Sequence, residues 1–213
     1  VRSTHTVRIS SGRHYASGML LTKRQLIESF KPAGLVNHLS DRASFILTAD
    51  HFLRDVEKVI RVRGHNFTAT ASTYLSVFGT DVGIIALDVK APTMQLPLFS
   101  TQVLKPGMLT TTYGFGGRHA GRLPREITGR VITRIPSSLS KNGITRVTHG
   151  ALIYNSPIKA IRGDSGGPLL ANGRVYGVQS MIFDPFRKTT RIATIASTAE
   201  HLDSLARAID QLS

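Results

Sequence analysis

An all-β barrel or sandwich closed by one C-terminal helix is the fold that this sequence predicts, on three observations. Twelve short runs rich in β-branched and aromatic residues recur along the chain. Turn formers, mostly Gly, Pro, Asn and Ser, separate them at close spacing. Only the last segment, 198–212, carries a sustained helical stripe, with Leu202, Leu205, Ile209 and Leu212 at three- and four-residue steps.

In chain order the expected strands begin with Thr6–Ser10, Gly18–Thr22, Phe45–Ala49, Lys58–Arg63, Thr70–Phe78 and Gly83–Asp88. Met108–Phe115, Ile127–Ile135, Gly150–Asn155, Pro168–Leu170, Val175–Ile182 and Arg191–Ala196 complete the set. Lys23–Ser44 breaks the pattern. Leu26, Ile27, Phe30, Leu35 and Val36 fall at loose helical spacing interrupted by Pro32 and Gly34, which predicts a helical or irregular excursion between two strands. At the final helix, Ser197 and Glu200 match a capping box, in which each side chain satisfies a free backbone N–H. Its apolar stripe is expected to pack on the barrel.

Composition narrows the chemistry. With 213 residues the chain can bury a substantial core, as one domain or two closely packed small ones. No apolar run approaches the roughly 18 residues that span a bilayer, and residues 1–10 are too polar for a signal peptide. The absence of cysteine excludes disulfides, thiolate metal ligands and a thiol nucleophile. A formal charge of +14 favours anionic contacts such as nucleic acid, acidic polysaccharide, lipid headgroups or acidic peptide. The densest basic stretch is Arg118, Arg122, Arg125, Arg130 and Arg134. Both a solubilising surface and a working anion site fit this distribution.

Three segments carry chemistry. Gly163-Asp164-Ser165-Gly166-Gly167-Pro168 puts a serine on a tight glycine-rich turn just before an apolar strand, where backbone N–H groups can approach a substrate carbonyl. A serine hydroxyl is a weak nucleophile until a base accepts its proton. Of eight histidines, His51 follows the apolar run Phe45–Ala49 and Asp50, which delivers its imidazole to the edge of a core. Asp81 opens the buried-strand pattern Val82–Leu87 and can orient that base.

Together, Thr48-Ala49-Asp50-His51, Asp81-Val82-Gly83-Ile84-Ile85-Ala86-Leu87 and the Ser165 turn resemble the three signatures of trypsin-like serine proteases, in that family's order. His14-Tyr15-Ala16-Ser17-Gly18, Tyr113-Gly114-Phe115-Gly116 and Val178-Gln179-Ser180-Met181 add supporting matches. The resemblance implies two packed antiparallel six-stranded β-barrels, residues 1–101 carrying His51 and Asp81 and residues 102–213 carrying Ser165. It also implies a catalytic triad of His51, Asp81 and Ser165, an oxyanion hole from the Gly163 and Ser165 N–H groups, and no metal or organic cofactor. Ser180 matches the serine beside the buried aspartate, and Ser180, Met181 and Ile182 the edge that pairs with substrate backbone. The implied partner is a polypeptide substrate and the implied form a monomer. A secreted bacterial enzyme is the favoured setting, with excision from a viral polyprotein as the other. A catalytically silent module that binds polyanions is the alternative function.

Departures from the family carry expectations of their own. Ala16 and Phe52 stand where relatives place a cysteine pair, so packing alone must hold that region. Asp50 replaces a usual alanine, and an inward orientation would raise the His51 pKa, whereas an outward one would not. Val1 begins too late to reach Asp164 as a new N-terminus, which predicts that Asp164 pairs internally with His14 or an arginine. Lys159 occupies the pocket-floor position, flanked by Ala160 and Arg162 and with Arg191 near the back. A lysine there predicts preference for Asp or Glu at the cleaved residue; a re-registered loop would send Lys159 to solvent and leave a shallow or apolar pocket beside Ile182.

Overall fold

The computed structural model describes residues 3–30, 38–117, 121, 123–183 and 190–213. Its first half holds β1 (Thr6–Ser11), β2 (His14–Leu21), α1 (Lys23–Glu28), β3 (Phe45–Thr48), α2 (Asp50–Arg54), β4 (Ile60–Arg63), β5 (Thr68–Ala71), β6 (Thr73–Val77) and β7 (Val82–Ala86). The second half follows with β8 (Leu109–Gly114), β9 (Arg125–Leu139), β10 (Arg146–Asn155), β11 (Pro168–Ala171), β12 (Arg174–Ile182), β13 (Ile192–Ser197) and α3 (Leu202–Leu212). All twelve expected strand regions carry a strand. All pairings between named strands are antiparallel.

The later strands close into a six-stranded barrel in the order β10-β13-β12-β11-β8-β9. The earlier ones form a curled sheet ordered β5-β4-β1-β2-β3-β7-β6, the half-barrel of the expected pair. Its two edge strands, β5 and β6, are separated in the chain by Ser72 alone. A single strand over Thr70–Phe78 was expected; instead the segment bends at Ser72 and serves both ends of the sheet.

Strand β9 also runs past its expected end. Pro136 has no N–H to give the ladder, and pairing skips it opposite His149, whose φ is +52°, then resumes at Ser137↔Thr148. The strand therefore reaches Leu139, and the β9–β10 hairpin projects well beyond the barrel.

Strands β3 and β7 are buried on both faces, which explains their unbroken apolar runs. Ile46 and Ile85 point into the half-barrel interior with Val7, Ile9, Leu20 and Val62. Phe45, Leu47, Val82 and Ile84 face the opposite way, into a core shared with Leu202, Leu205 and Ile209 of α3. Thus α3 leaves its own barrel and packs on β6, β7 and α1 of the other half. Lys23 and Asp210 add an ion pair at 2.6 Å. Each fully buried leucine in this layer contributes roughly 1.5–3 kcal/mol.

The capping box expected at Ser197 and Glu200 does not form. Ser197 is the last residue of β13, and its hydroxyl donates to the Tyr176 carbonyl; Glu200 is drawn off by Arg134 at 2.6 Å. A short 3-10 turn, Ala199–His201, begins the helix instead. The chain's capping box is at α1, where Thr22 Oγ1 accepts from the Gln25 N–H and Gln25 Oε1 from the Thr22 N–H. In the 23–44 excursion only α1 is regular among the described residues, and 31–37 lie outside them.

Candidate active site

Three unrelated stretches converge in one cleft of about 870 Å³ that runs along the two halves. Strand β3 ends at Thr48, and α2 begins at Asp50, so His51 sits in the first turn of a helix held by the buried Phe52 and Leu53. Asp81 lies in the turn between β6 and β7 with no solvent exposure. Its Oδ1 accepts the His51 backbone N–H at 2.8 Å, and its Oδ2 lies 2.8 Å from His51 Nδ1. Ser180 donates its hydroxyl to the same Oδ2.

A carboxylate clamped on two sides in this way fixes the ring. Held against an ionised Asp81, Nδ1 carries the proton and Nε2 is left as acceptor. Burial alone would push the His51 pKa down, but the hydrogen bond and charge of Asp81 outweigh it and leave it raised. Burial opposes ionisation of Asp81 in turn, yet its bonds to His51 and Ser180 hold it below the usual value.

Ser165 lines the same cleft as His51. Its hydroxyl donates to the Ser180 carbonyl at 3.3 Å. Ser180 therefore touches both ends of the arrangement, its carbonyl at Ser165 and its hydroxyl at Asp81. Gly163, at φ +97°, turns the chain just before the serine. Neither the Gly163 nor the Ser165 N–H donates to a protein acceptor among the described residues. Two donors facing a cleft without acceptors suit an oxyanion.

Asp164 holds that turn from behind. Its fully buried carboxylate accepts the Gly116 N–H at 2.6 Å and the Ile161 N–H at 2.9 Å. Arg125 approaches it at 3.7 Å, so the expected internal arginine partner is present. His14 lies instead 4.0 Å from Asp55, and Val1 is outside the described residues. Burial raises the Asp164 pKa against those bonds and the charge of Arg125. Gly116 is needed for space: a Cβ there would meet Asp164 Oδ2 at 2.4 Å.

Asp50 takes the inward of its two expected orientations. It is 5% exposed. One oxygen is gripped by Arg54, with Nε at 2.8 Å and Nη2 at 2.5 Å, and the other accepts the Ser76 hydroxyl. Its charge raises the His51 pKa while that of Arg54 lowers it. Arg54 Nη1 also donates to the Ile144 carbonyl at 2.5 Å. That tip belongs to the β9–β10 hairpin, and Ser138, Leu139, Ser140, Lys141 and Thr145 form one wall of the cleft.

Of the expected substrate-binding residues, Arg162, Ser180, Met181 and Ile182 line the cleft. Lys159, Ala160 and Arg191 do not. The Lys159 side chain is exposed, not buried at a pocket floor, and its carbonyl accepts from Arg125 Nη2 at 3.0 Å. Arg191 is exposed and donates to the Pro157 carbonyl at 2.6 Å. Ala160 is buried with Ile127 and Ala193 behind Ile182.

Ala16 and Phe52, at the positions of the missing cysteine pair, are both buried in one apolar cluster. Sequence reasoning missed Ser17. This fully buried residue of β2 donates its N–H to the Ser165 carbonyl at 2.8 Å and its hydroxyl to the Gly163 carbonyl at 2.7 Å. It thereby ties the serine turn of one half to a strand of the other. Its signal was its place in the His14–Gly18 match, which carried no role for the serine itself. Arg118 and Arg122, of the basic stretch, lie outside the described residues.

The family model for trypsin matches residues 38–203, most of the chain. The chain belongs to the trypsin family. As a trypsin-like serine peptidase it shares its double-barrel fold with several solved structures. The active form of the Rv3671c protease from M. tuberculosis superposes with a TM-score of 0.70 at 20% identity, covering 97% of this chain and 82% of that one. Kallikrein-related peptidase 10, in complex with Zn2+, gives 0.70 at 14% identity over 98% and 97%. The MamO protease domain from Magnetospirillum magneticum gives 0.66 at 15% over 94% and 95%. No curated protein matches the sequence. Among the described residues of this trypsin-like chain, no helix is long and apolar enough to cross a membrane.

Proposed function

We propose that this chain is a serine endopeptidase that cleaves polypeptides through an acyl-enzyme, with Ser165 as nucleophile, His51 as general base and Asp81 as its orienting acid. The buried Asp81 carboxylate, bonded at once to the backbone and the ring of His51, carries this reading.

The roles follow the family's established mechanism. Ser165 Oγ attacks the scissile carbonyl carbon as its proton passes to His51 Nε2. The Gly163 and Ser165 N–H groups receive the oxyanion. Collapse breaks the C–N bond, and His51 returns the proton to the leaving amine. Water then attacks the ester by the same route and frees Ser165. The hydroxyl reaches Nε2 by turning away from the Ser180 carbonyl, a small adjustment of a kind common before substrate binds.

Substrate choice follows from the cleft. Arg13, Lys141 and Arg162 line it against Asp55 alone, which favours substrates acidic around the cleaved bond. This support for an acidic preference comes from the cleft walls rather than from Lys159. Division of the chain at residues 101 and 102 is supported by strand membership, since β1–β7 share one sheet and β8–β13 the barrel.

Covalent labelling by a fluorophosphonate probe, followed by mass spectrometry, tests the reading. Modification is expected on Ser165 and lost in Ser165→Ala. A folded protein that resists the probe and hydrolyses no peptide in a broad library would refute it.

A further inference from the structure

The outer face of the curled sheet concentrates positive charge at Arg8, Arg61 and Arg63. In the β1–β4 register Arg8 stands directly opposite Arg63, and Ser10 opposite Arg61. Cross-strand partners and residues two apart share a face, so all three arginine side chains leave the sheet on the same side. Like charges placed opposite one another destabilise a sheet. Among the described residues, no carboxylate lies within 4.0 Å of Arg8, Arg61 or Arg63.

Their donors are also underused. Arg8 stacks its guanidinium 4.9 Å above the Tyr15 ring, and its Nε is shielded from solvent yet has no hydrogen-bond partner. Arg63 spends one nitrogen on the Gly121 carbonyl at 3.2 Å. The three surround a concavity of about 600 Å³ that Ser10 and Thr68 complete with hydroxyls, while the Thr70 hydroxyl on its wall donates to Asp88. Asp88, beside the rim, is bonded to the Thr70 hydroxyl at 2.7 Å rather than to an arginine.

Several guanidinium forks and hydroxyls around one hollow match a compact anion with many acceptor oxygens. None of the residues that line the hollow is aromatic, and Tyr15 is covered by Arg8, so the lining offers no aromatic face on which a nucleobase could stack. We propose that Arg8, Arg61 and Arg63 form a binding site for a phosphoryl group, remote from the catalytic cleft. Arg61 and Arg63 supply the primary charge, and the Arg8 guanidinium closes the floor. The phosphoryl oxygens would take up the idle donors and relieve the Arg8–Arg63 repulsion.

Isothermal titration with inorganic pyrophosphate at constant ionic strength tests the site. One saturable equivalent is expected on the intact chain. Affinity should fall about tenfold or more in Arg61→Gln and further in the Arg61→Gln, Arg63→Gln pair. Lys105→Gln with Arg207→Gln removes the same charge elsewhere on the surface and should leave binding unchanged. Fluorophosphonate labelling of every variant verifies the fold. Vesicles containing a phosphoinositide then separate the sources: pyrophosphate binding together with arginine-dependent vesicle binding assigns a lipid headgroup, and pyrophosphate binding alone assigns a free phosphate. Absence of saturable pyrophosphate binding, or equal losses in the groove and control variants, overturns the proposal.

Discussion

The ring of Tyr15 lies so close to Gly163 that a Cβ on that glycine would stand 2.3 Å from Tyr15 Cε2. Together with the positive φ of Gly163, this contact leaves the residue no room for a side chain. A strand of one half thus braces the turn before Ser165 in the other. Gly163→Ala must twist the turn and withdraw the proposed oxyanion donor, so kcat is expected to fall about 10²- to 10³-fold. Steady-state kinetics on a peptide ester, beside an unchanged far-UV spectrum, would check this; full activity would deny the glycine its role.

The pH dependence of kcat/KM should reveal His51. On the proposed mechanism only the neutral imidazole accepts the Ser165 proton, so activity should be lost as pH falls through the His51 pKa. Because that pKa is raised, the acid limb should centre above 6.5. Asp50→Asn removes a charge that raises it and should move the limb down, whereas Arg54→Gln should move it up. Stability shows the same linkage in mirror image. The raised pKa contributes stability in full below 6.5, and that contribution is lost as pH rises through the folded value.

Arg54 connects two things at once, the buried Asp50 and the hairpin tip at Ile144. Arg54→Ala strands a buried carboxylate with Ser76 as its remaining partner. A destabilisation of about 1–3 kcal/mol by urea titration is expected. Release of the hairpin should also raise KM more than it lowers kcat, since Leu139 and Lys141 form a cleft wall. Asp50→Ala combined with Arg54→Ala should recover part of the stability but not the KM.

Arg125 is the cation beside Asp164, and the turn that carries Ser165 depends on where that carboxylate sits. Arg125→Gln should lower kcat several-fold, and Arg125→Lys should restore part of it. A loss confined to KM would point to substrate contact instead.

Much of this architecture could be read from residue order because most strands alternate or run apolar between clear turn formers. The break at Ser72 had no such marker: Thr70, Ala71, Ser72, Thr73 and Tyr74 read as one strand, and only the curl of the sheet divides them. Pro136 misled in the opposite direction, since the ladder passes over the His149–Pro136 position without a change of register and resumes at Ser137. Ser197 and Glu200 had the right spacing for a cap, but a carbonyl and an arginine distant in sequence claimed them first. His51, Asp81 and Ser165, the proposed triad, stand out in the sequence because each sits in a distinctive local setting. Ser17, Arg54 and Arg125 each reach a partner 39 to 146 positions away, so no local pattern announced those contacts. Lys159 shows the reverse limit: its position was legible, but its surroundings were not.

The helix α3 rests on the outward faces of β3 and β7, the strands that end just before His51 and begin just after Asp81. During synthesis those faces, with Phe45, Leu47, Val82 and Ile84, emerge long before their cover does. A nascent chain halted ahead of Leu202 would display an oily sheet bearing an incomplete acid–base pair. Full assembly of the site is therefore deferred until the ribosome has delivered Leu202–Leu212, and a fragment released before that should be sticky rather than destructive.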